Sequence, residues 1–303
     1  MSENTLPYFS IVLPIYNEKE TIASTIVDCV NVLKETNLLF EIIAVDDHSV
    51  DGTIDVLEEY KQIYPHNLCI QYHPYNKGNG AAIKTGIKAS RGEWICCMDA
   101  DGQHDPRDIF EMMKYVEQYD LIVGARPIGK QKKHREFANQ FYNRFASWVT
   151  NFQIEDLTSG YRMFRSSIVK RFVPLFPAGF SYPTTSTLVM LKTGHNVKYV
   201  PINIRPRQGG KSKIRIFSDG WRFILIIFKI LMLFDPIRVF MFISNGLMLL
   251  ALFLFIQASI ILGSLHIPNS SVLSFLSGIL ILSLGFITEQ ITSLQLVLLN
   301  KDE

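Results

Sequence analysis

Short apolar runs alternate with amphipathic stretches through the first half of the chain. Residues 9–13, 40–45, 68–72, 93–98 and 120–123 are brief, apolar and bounded by turn chemistry, the pattern of buried strands. Between them, residues 19–35 place Ile22, Ile26, Cys29, Val30 and Leu33 on one helical face. Further helices are predicted over residues 53–64, from the Asn76-Lys-Gly-Asn-Gly80 stretch to Ser90, and over residues 107–118. Pro14 to Asn17 reads as the turn after the first strand. This β–α alternation predicts an α/β domain whose mainly parallel sheet is covered by helices on both faces. In such sheets ligands sit beyond the carboxyl ends of the strands, and Tyr16, Asp46 and Asp99 all fall just past one.

The pattern changes near the C-terminus. Between Arg238 and Glu289 there is no Asp, Glu, Lys or Arg, and the stretch divides into two apolar segments, residues 239–262 and 272–292. A span needs about 20 apolar residues, so two transmembrane helices are predicted. Eight cations precede the first span, from Arg205 to Arg238, whereas the loop between the spans has none. The excess of cations on that side places residues 1–213 in the cytoplasm and the short loop outside, as a two-pass protein of a bacterial or archaeal cell membrane. Residues 214–236 carry Arg215, Asp219, Arg222 and Lys229 on one narrow stripe with Trp221 and apolar residues around the remainder, which predicts a helical segment lying in the membrane interface. Gly285 and Ser293 allow helix contact and leave a homo-oligomer open.

Composition adds three points. The 303 residues allow one or two domains, and the hydrophobic share of 48% is concentrated in the C-terminal segments. The four cysteines fit core packing in a reducing compartment, and the start of the chain lacks the basic-then-apolar order of a signal peptide. A net charge of +2 gives no reason to expect a nucleic-acid partner.

The candidate chemistry lies where the Trp94 strand ends, in Asp99-Ala-Asp101-Gly-Gln103-His104. Two carboxylates one residue apart on a turning backbone can face one divalent cation, and the Gln103 amide oxygen can join them. Hard oxygen ligands suit Mg²⁺ or Mn²⁺, with phosphate oxygens and water completing the shell. A nicotinamide-binding domain would show the same alternation but needs Gly-x-Gly-x-x-Gly after the first strand. Pro14-Ile-Tyr-Asn-Glu18 does not supply it, and Gly78-Asn-Gly80 has Ile83 where the third glycine belongs.

Five stretches in order resemble the motifs of family 2 glycosyltransferases with the GT-A fold: Val12-Leu-Pro-Ile-Tyr-Asn-Glu18, Val45-Asp-Asp-His-Ser-Val-Asp-Gly-Thr53, Asn76-Lys-Gly-Asn-Gly80, Asp99-Ala-Asp-Gly-Gln-His-Asp-Pro106 and Asp156-Leu-Thr-Ser-Gly-Tyr-Arg162. The membrane-attached C-terminus is similar to that of polyprenyl-phosphate hexosyltransferases, the group of dolichol-phosphate mannose synthases and bactoprenol glucosyltransferases. The resemblance implies that Pro14, Tyr16, Glu18 and Asp46 line the donor nucleotide. It implies that Asp99, Ala100 and Asp101 meet the diphosphate, with metal at Asp99, Asp101 and Gln103. Asp156 occupies the family's acceptor-facing catalytic position, as general base or orienting group, beside Asp101. Arg126, Arg135 and Asn139 match positions that hold an acceptor phosphate, and Arg207, Ser212 and Lys213 match a late segment that closes over the diphosphate. Near residues 179–187 many relatives carry an acid where this chain has only hydroxyls. The implied activity is inverting transfer of a single hexose from a nucleotide-diphospho-sugar to a polyprenyl phosphate. The alternatives are transfer to another membrane acceptor, such as a diacylglycerol or lipid-linked saccharide, and a silent membrane scaffold.

Overall fold

The computed structural model describes residues 8–127, 133–179, 181–205, 225, 228, 231–232 and 235–299. The chain divides into two compact units, Met1–Ile227 and Phe228–Glu303.

The first unit is built on strands β1 (Phe9–Ile15), β2 (Phe40–Asp46), β3 (Leu68–Tyr72), β4 (Trp94–Cys97), β5 (Leu121–Ala125), β6 (Arg162–Arg165) and β7 (Val197–Pro201). They form one sheet in the order β3-β2-β1-β4-β6-β5-β7. All pairings are parallel except those of β6, which runs antiparallel to β4 and β5. The helices are α1 (Ile22–Glu35), α2 (Thr53–Ile63), α3 (Asn79–Ala89), α4 (Asp108–Met113), α5 (Lys133–Thr150), α6 (Ser166–Phe172) and α7 (Tyr182–Lys192). The five residues predicted for the inner face of α1 are all fully buried. Burying a side chain of this kind contributes about 1.5–3 kcal/mol, which is what commits so short a helix to the sheet.

Among the predicted boundaries that move, two show their physical reason in the backbone bonding. β1 continues through Pro14, which pairs in register with Val45. The Val12 carbonyl accepts from Met98 on the β4 side and the Ile15 carbonyl from Asp47 on the β2 side, so Pro14 turns its missing N–H toward β4. That ladder ends at Val12↔Cys97, so no hydrogen bond is lost. The helix expected to reach residue 118 ends at Met113 and tightens into i→i+3 turns, with Tyr115 bonding Met112 and Gln118 bonding Tyr115.

Register brings the motifs together. Cys97 lies opposite Arg162 and Val123 opposite the same residue, so β6 begins where β4 and β5 end. Ala125 pairs with Pro201, which puts the end of β7 at the same edge. The segments after β1, β2, β4, β5 and β7, and the loop before β6, therefore emerge along one margin of the sheet.

The second unit contains α8 (Pro236–Leu262) and α9 (Asn269–Leu299). Both are long and apolar enough to cross a membrane, with mean hydropathy 2.5 over an 18-residue window of Pro236–Leu262 and 2.1 over one of Asn269–Leu294. They pack through small residues and hydroxyls. A Cβ on Gly285 would sit 2.6 Å from Phe240 Cβ, Ser244 Oγ donates to the Gly278 carbonyl at 2.8 Å, and Ser271 Oγ donates to the Ala251 carbonyl at 2.7 Å. In hydrocarbon such close backbone approach and side-chain hydrogen bonding replace the hydrophobic drive that water supplies elsewhere. The expected interfacial segment, residues 214–236, lies mostly outside the described residues.

Candidate active site

Two loops lock together at the ends of β1 and β2. The backbone N–H groups of Asn17, Glu18 and Lys19 donate to Ser49 Oγ (2.9 Å), Thr53 Oγ1 (3.1 Å) and Asp51 Oδ2 (3.2 Å), while Val50 N–H donates back to Asn17 Oδ1 at 2.9 Å. Tyr16 and Glu18, both half-buried, are carried on this clamp.

The adjacent carboxylates Asp46 and Asp47 do different work. Asp47 accepts from Lys77 N–H at 2.8 Å, from Gly78 N–H at 2.7 Å and pairs with His73 Nδ1 at 2.6 Å, and His73 Nε2 meets Thr85 Oγ1 at 2.9 Å. It is spent on holding the 76–80 loop at the start of α3. Among the described residues the Asp46 carboxylate accepts only from Ser49 N–H, through Oδ2 at 3.0 Å. Its Oδ1 is buried and finds no hydrogen-bond partner among the described residues. A buried carboxylate oxygen left without a donor costs free energy, and a ligand N–H or O–H removes that cost.

The Asp-Ala-Asp turn is held from behind. Thr21 Oγ1 donates to the Ala100 carbonyl at 2.9 Å, with Glu18 Oε2 3.2 Å away, tying the turn to the start of α1. Asp101 Oδ1 accepts from Gln103 N–H at 3.1 Å, and Asp99 N–H donates to His104 Nδ1 at 3.3 Å. Burial pushes the His104 pKa down to about 4, so the ring is neutral with Nδ1 as acceptor, and it stacks on Tyr161 at 5.0 Å between centroids. Gly160 faces Asp99 across the margin. A Cβ there would lie 3.0 Å from Asp99 Oδ2, so glycine is what leaves the carboxylate room to receive a ligand. Arg205 N–H donates to the Gln103 carbonyl at 2.9 Å, and its guanidinium pairs with Asp105 and Asp28, both at 2.8 Å. The segment after β7 is thus sewn along the acidic turn.

Arg126 and Asp156 meet as a fork. Arg126 Nε donates to Asp156 Oδ2 at 2.7 Å and Nη2 to Oδ1 at 2.8 Å, with Nη2 also reaching Thr158 Oγ1 at 2.6 Å. Burial by itself pushes the Asp156 carboxyl up, but the Arg126 bonds and charge outweigh it and hold the group below the usual carboxylate range. Behind this loop Arg162 is fully buried. It donates to the carbonyls of Ser159 and Leu157 and to the hydroxyls of Ser186 and Thr187, at 2.6 to 3.1 Å. The hydroxyl-rich start of α7 therefore serves in part as a neutral socket for a core arginine.

Of the candidate residues, Pro14, Tyr16, Glu18, Asp46, Asp99, Ala100, Asp101, Gln103, Arg126 and Asp156 all lie on the one sheet margin. Asn139 is half-buried on α5. Arg135 is within α5, but its side chain is outside the described residues, as are Arg207, Ser212 and Lys213 altogether. The Asp47–His73–Thr85 relay and the Arg162 socket carry no spacing signal and emerge only from the fold.

The donor set fits a hard divalent cation. Two carboxylates and an amide on one turn offer the oxygen donors such an ion takes, and the missing Cβ of Gly160 leaves space beside Asp99. Among the described residues no group of three or more His, Cys, Asp or Glu side chains forms a closed metal cage.

Known proteins agree with this geometry. Residues 10–173 match the glycosyl transferase family 2 model, and residues 235–294 match the GtrB C-terminal hairpin. A dolichyl-phosphate beta-glucosyltransferase of Dictyostelium discoideum is 26% identical over 251 residues, covering 74% of this chain and 77% of its own. An undecaprenyl-phosphate 4-deoxy-4-formamido-L-arabinose transferase of Pseudomonas syringae pv. syringae is 26% identical over 199 residues, 62% of this chain, and the match spans only 59% of that protein. Among solved structures, glucosyl-3-phosphoglycerate synthase of Mycobacterium tuberculosis, in complex with Mn²⁺, UDP-glucose and phosphoglyceric acid, superposes with a TM-score of 0.58 at 15% identity, covering 74% of this chain and 79% of that one. It shares the fold. A family match over more than half the chain, with its motifs on one margin of the sheet, makes this protein a member of glycosyl transferase family 2.

Proposed function

We propose that the protein transfers a single hexose, with inversion, from a nucleotide-diphospho-sugar to a polyprenyl phosphate at the cytoplasmic face of a membrane. The observation that carries this reading is the Arg126–Asp156 fork. An alcohol acceptor needs a general base, and a carboxylate held low by an arginine is a weak one. A phosphate acceptor needs none, because with a second pKa of about 6 it is mostly dianionic at neutral pH. A guanidinium carries five N–H donors, so Arg126 can hold Asp156 and still donate to a phosphate. The match of residues 235–294 to the GtrB hairpin and the polyprenyl-phosphate relatives favour the same acceptor class over diacylglycerol.

In this reading Tyr16, Glu18 and Asp46 hold the nucleoside, with Asp46 Oδ1 accepting from the base. Asp99, Asp101 and Gln103 would hold Mg²⁺ or Mn²⁺. When bound, the ion supplies charge neutralisation for the departing diphosphate. Arg126 draws the acceptor phosphate toward the sugar, and Asp156 orients Arg126. Asn139, Arg135, Arg207, Ser212 and Lys213 are proposed as further phosphate contacts. The cation-rich stretch before α8 supports a cytoplasmic catalytic unit.

Asp46→Asn should raise the donor KM about tenfold to a hundredfold, the ~1.5–3 kcal/mol of a hydrogen bond to a charged group. The acceptor KM should stay unchanged, and an unchanged donor KM would remove Asp46 from the nucleotide site. The function itself is tested by incubating membranes containing the protein with a panel of nucleotide sugars and weighing the lipid products. The expected product is a polyprenyl phosphate heavier by one hexose residue and cleaved by mild acid. A glycosylated diacylglycerol instead would replace the proposal with its alternative.

A further inference from the structure

Behind the Asp156 loop a cation lies in the core, and among the described residues none of its hydrogen bonds goes to a carboxylate. Arg162 opens β6 and is fully buried. Its Nε donates to the Ser159 carbonyl at 2.6 Å and Nη2 to the Leu157 carbonyl at 3.0 Å, while Nη1 reaches Ser186 Oγ at 3.1 Å and Thr187 Oγ1 at 2.6 Å. Both hydroxyls pass their own protons to the Pro183 carbonyl, at 3.0 and 3.2 Å. Every acceptor is therefore neutral. Burial pushes the phenols of Tyr182 and Tyr199 far up, so neither supplies a negative charge. The N–H groups of Arg162 are satisfied, but its charge is not cancelled. The acid that feels this charge is Asp156. Burial pushes the Asp156 carboxyl up, and the charges of Arg126 and then Arg162 bring it down.

We propose that Arg162 is a positioning residue for the acceptor: its uncancelled charge offsets Asp156, so that Arg126 presents a net positive site to the acceptor phosphate. This inference rests on the lipid-phosphate acceptor proposed above. The Arg126–Asp156 pair by itself is neutral, and a carboxylate beside an incoming phosphate repels it. Two guanidiniums against one carboxylate leave one positive charge behind the sheet margin. In the water-poor interior that charge is screened little and acts beyond contact distance. Arg162, fully covered, touches no substrate, and it works through the field at Asp156 and Arg126. Stability alone gives no reason for a charge here, because a well-packed apolar side chain of similar volume serves a core at least as well.

The full-length enzyme in vesicles, with polyprenyl phosphate as acceptor, is compared with Arg162→Met and Arg162→Lys. Both variants lose the guanidinium fork, but only the methionine loses the charge. Arg162→Met should raise the acceptor KM about tenfold or more with the donor KM unchanged, and Arg162→Lys should recover most of that loss. Equal losses in the two variants, or donor and acceptor KM rising together, would mean that Arg162 only shapes the loop and would overturn the inference. Ser186→Asp tests the charge with Arg162 still in place, since a carboxylate there lies within reach of Nη1 and cancels it. It should reproduce the acceptor defect while the melting midpoint is kept, and this arm decides the matter if Arg162→Met fails to fold. An unchanged acceptor KM in folded Ser186→Asp overturns the inference. The acceptor reading fails separately, on the wild type, if polyprenol is glycosylated as well as its phosphate, and that result overturns both.

Discussion

Asp101→Asn should lower sugar transfer by about a hundredfold to a thousandfold or more, while leaving the protein folded. Asp101 sits half-buried on the turn that Thr21 holds through the Ala100 carbonyl, and its Oδ1 accepts the Gln103 N–H. The asparagine amide oxygen can accept that bond too, so the turn should keep its shape. What the substitution removes is a negative charge on the ion that would balance the diphosphate, and that loss is felt when charge develops on the departing nucleotide. EDTA should stop the wild-type enzyme, and added Mg²⁺ or Mn²⁺ should restore it. Undiminished turnover by metal-stripped protein would remove the ion from the account.

Arg126→Ala should be the most damaging single change to both stability and activity among the described site residues. It leaves the Asp156 charge, 5% exposed, buried without its partner, a loss of about 3–5 kcal/mol. A unit of this size should then melt about 10 °C lower. The pH dependence has a definite sign. In the wild type the Asp156 carboxyl is depressed, so its contribution is present above the unfolded carboxyl pKa of about 3.9 and is lost as pH falls through the lower folded value. Without the Arg126 guanidinium, burial is opposed only by the residue-126 N–H, the Thr158 N–H and hydroxyl and the Arg162 charge, so the carboxyl rises from its wild-type value and the folded variant takes up its proton at a higher pH than the folded wild type. The variant should therefore regain stability relative to wild type as pH falls from 7.5 toward 4, and adding Asp156→Asn should rescue part of the midpoint at neutral pH but none of the transfer. Melting curves of the full-length variants at the two pH values check both signs. A midpoint deficit that stays constant with pH would mean that Asp156 is not an uncompensated charge.

Much of the catalytic unit was legible in the chain because its strands are apolar runs ended by turn residues. β1 to β5 announce themselves in this way, and so do α8 and α9, where charge disappears for a whole segment. β6 did not, because Arg162 and Arg165 bracket its four residues and charged ends argue against a buried strand. Only the hydroxyls of α7 and two carbonyls make Arg162 tolerable in the core, and these are distant in sequence. Adjacent carboxylates were equally opaque. Nothing in Asp46-Asp47 says which is spent on structure, and the difference arises from Lys77, Gly78 and His73 closing on one of them. The Arg126–Asp156 fork spans 30 positions, beyond any local spacing rule, yet it decides how basic Asp156 is.

The central claim is that the acceptor is a lipid phosphate, and a direct acceptor comparison tests it. One preparation of full-length protein in vesicles is given donor sugar together with polyprenyl phosphate, the same lipid dephosphorylated to polyprenol, and diacylglycerol, and each product is weighed. The account predicts hexose on the polyprenyl phosphate alone, as an acid-labile phosphodiester. Equal glycosylation of polyprenol or of diacylglycerol would contradict it.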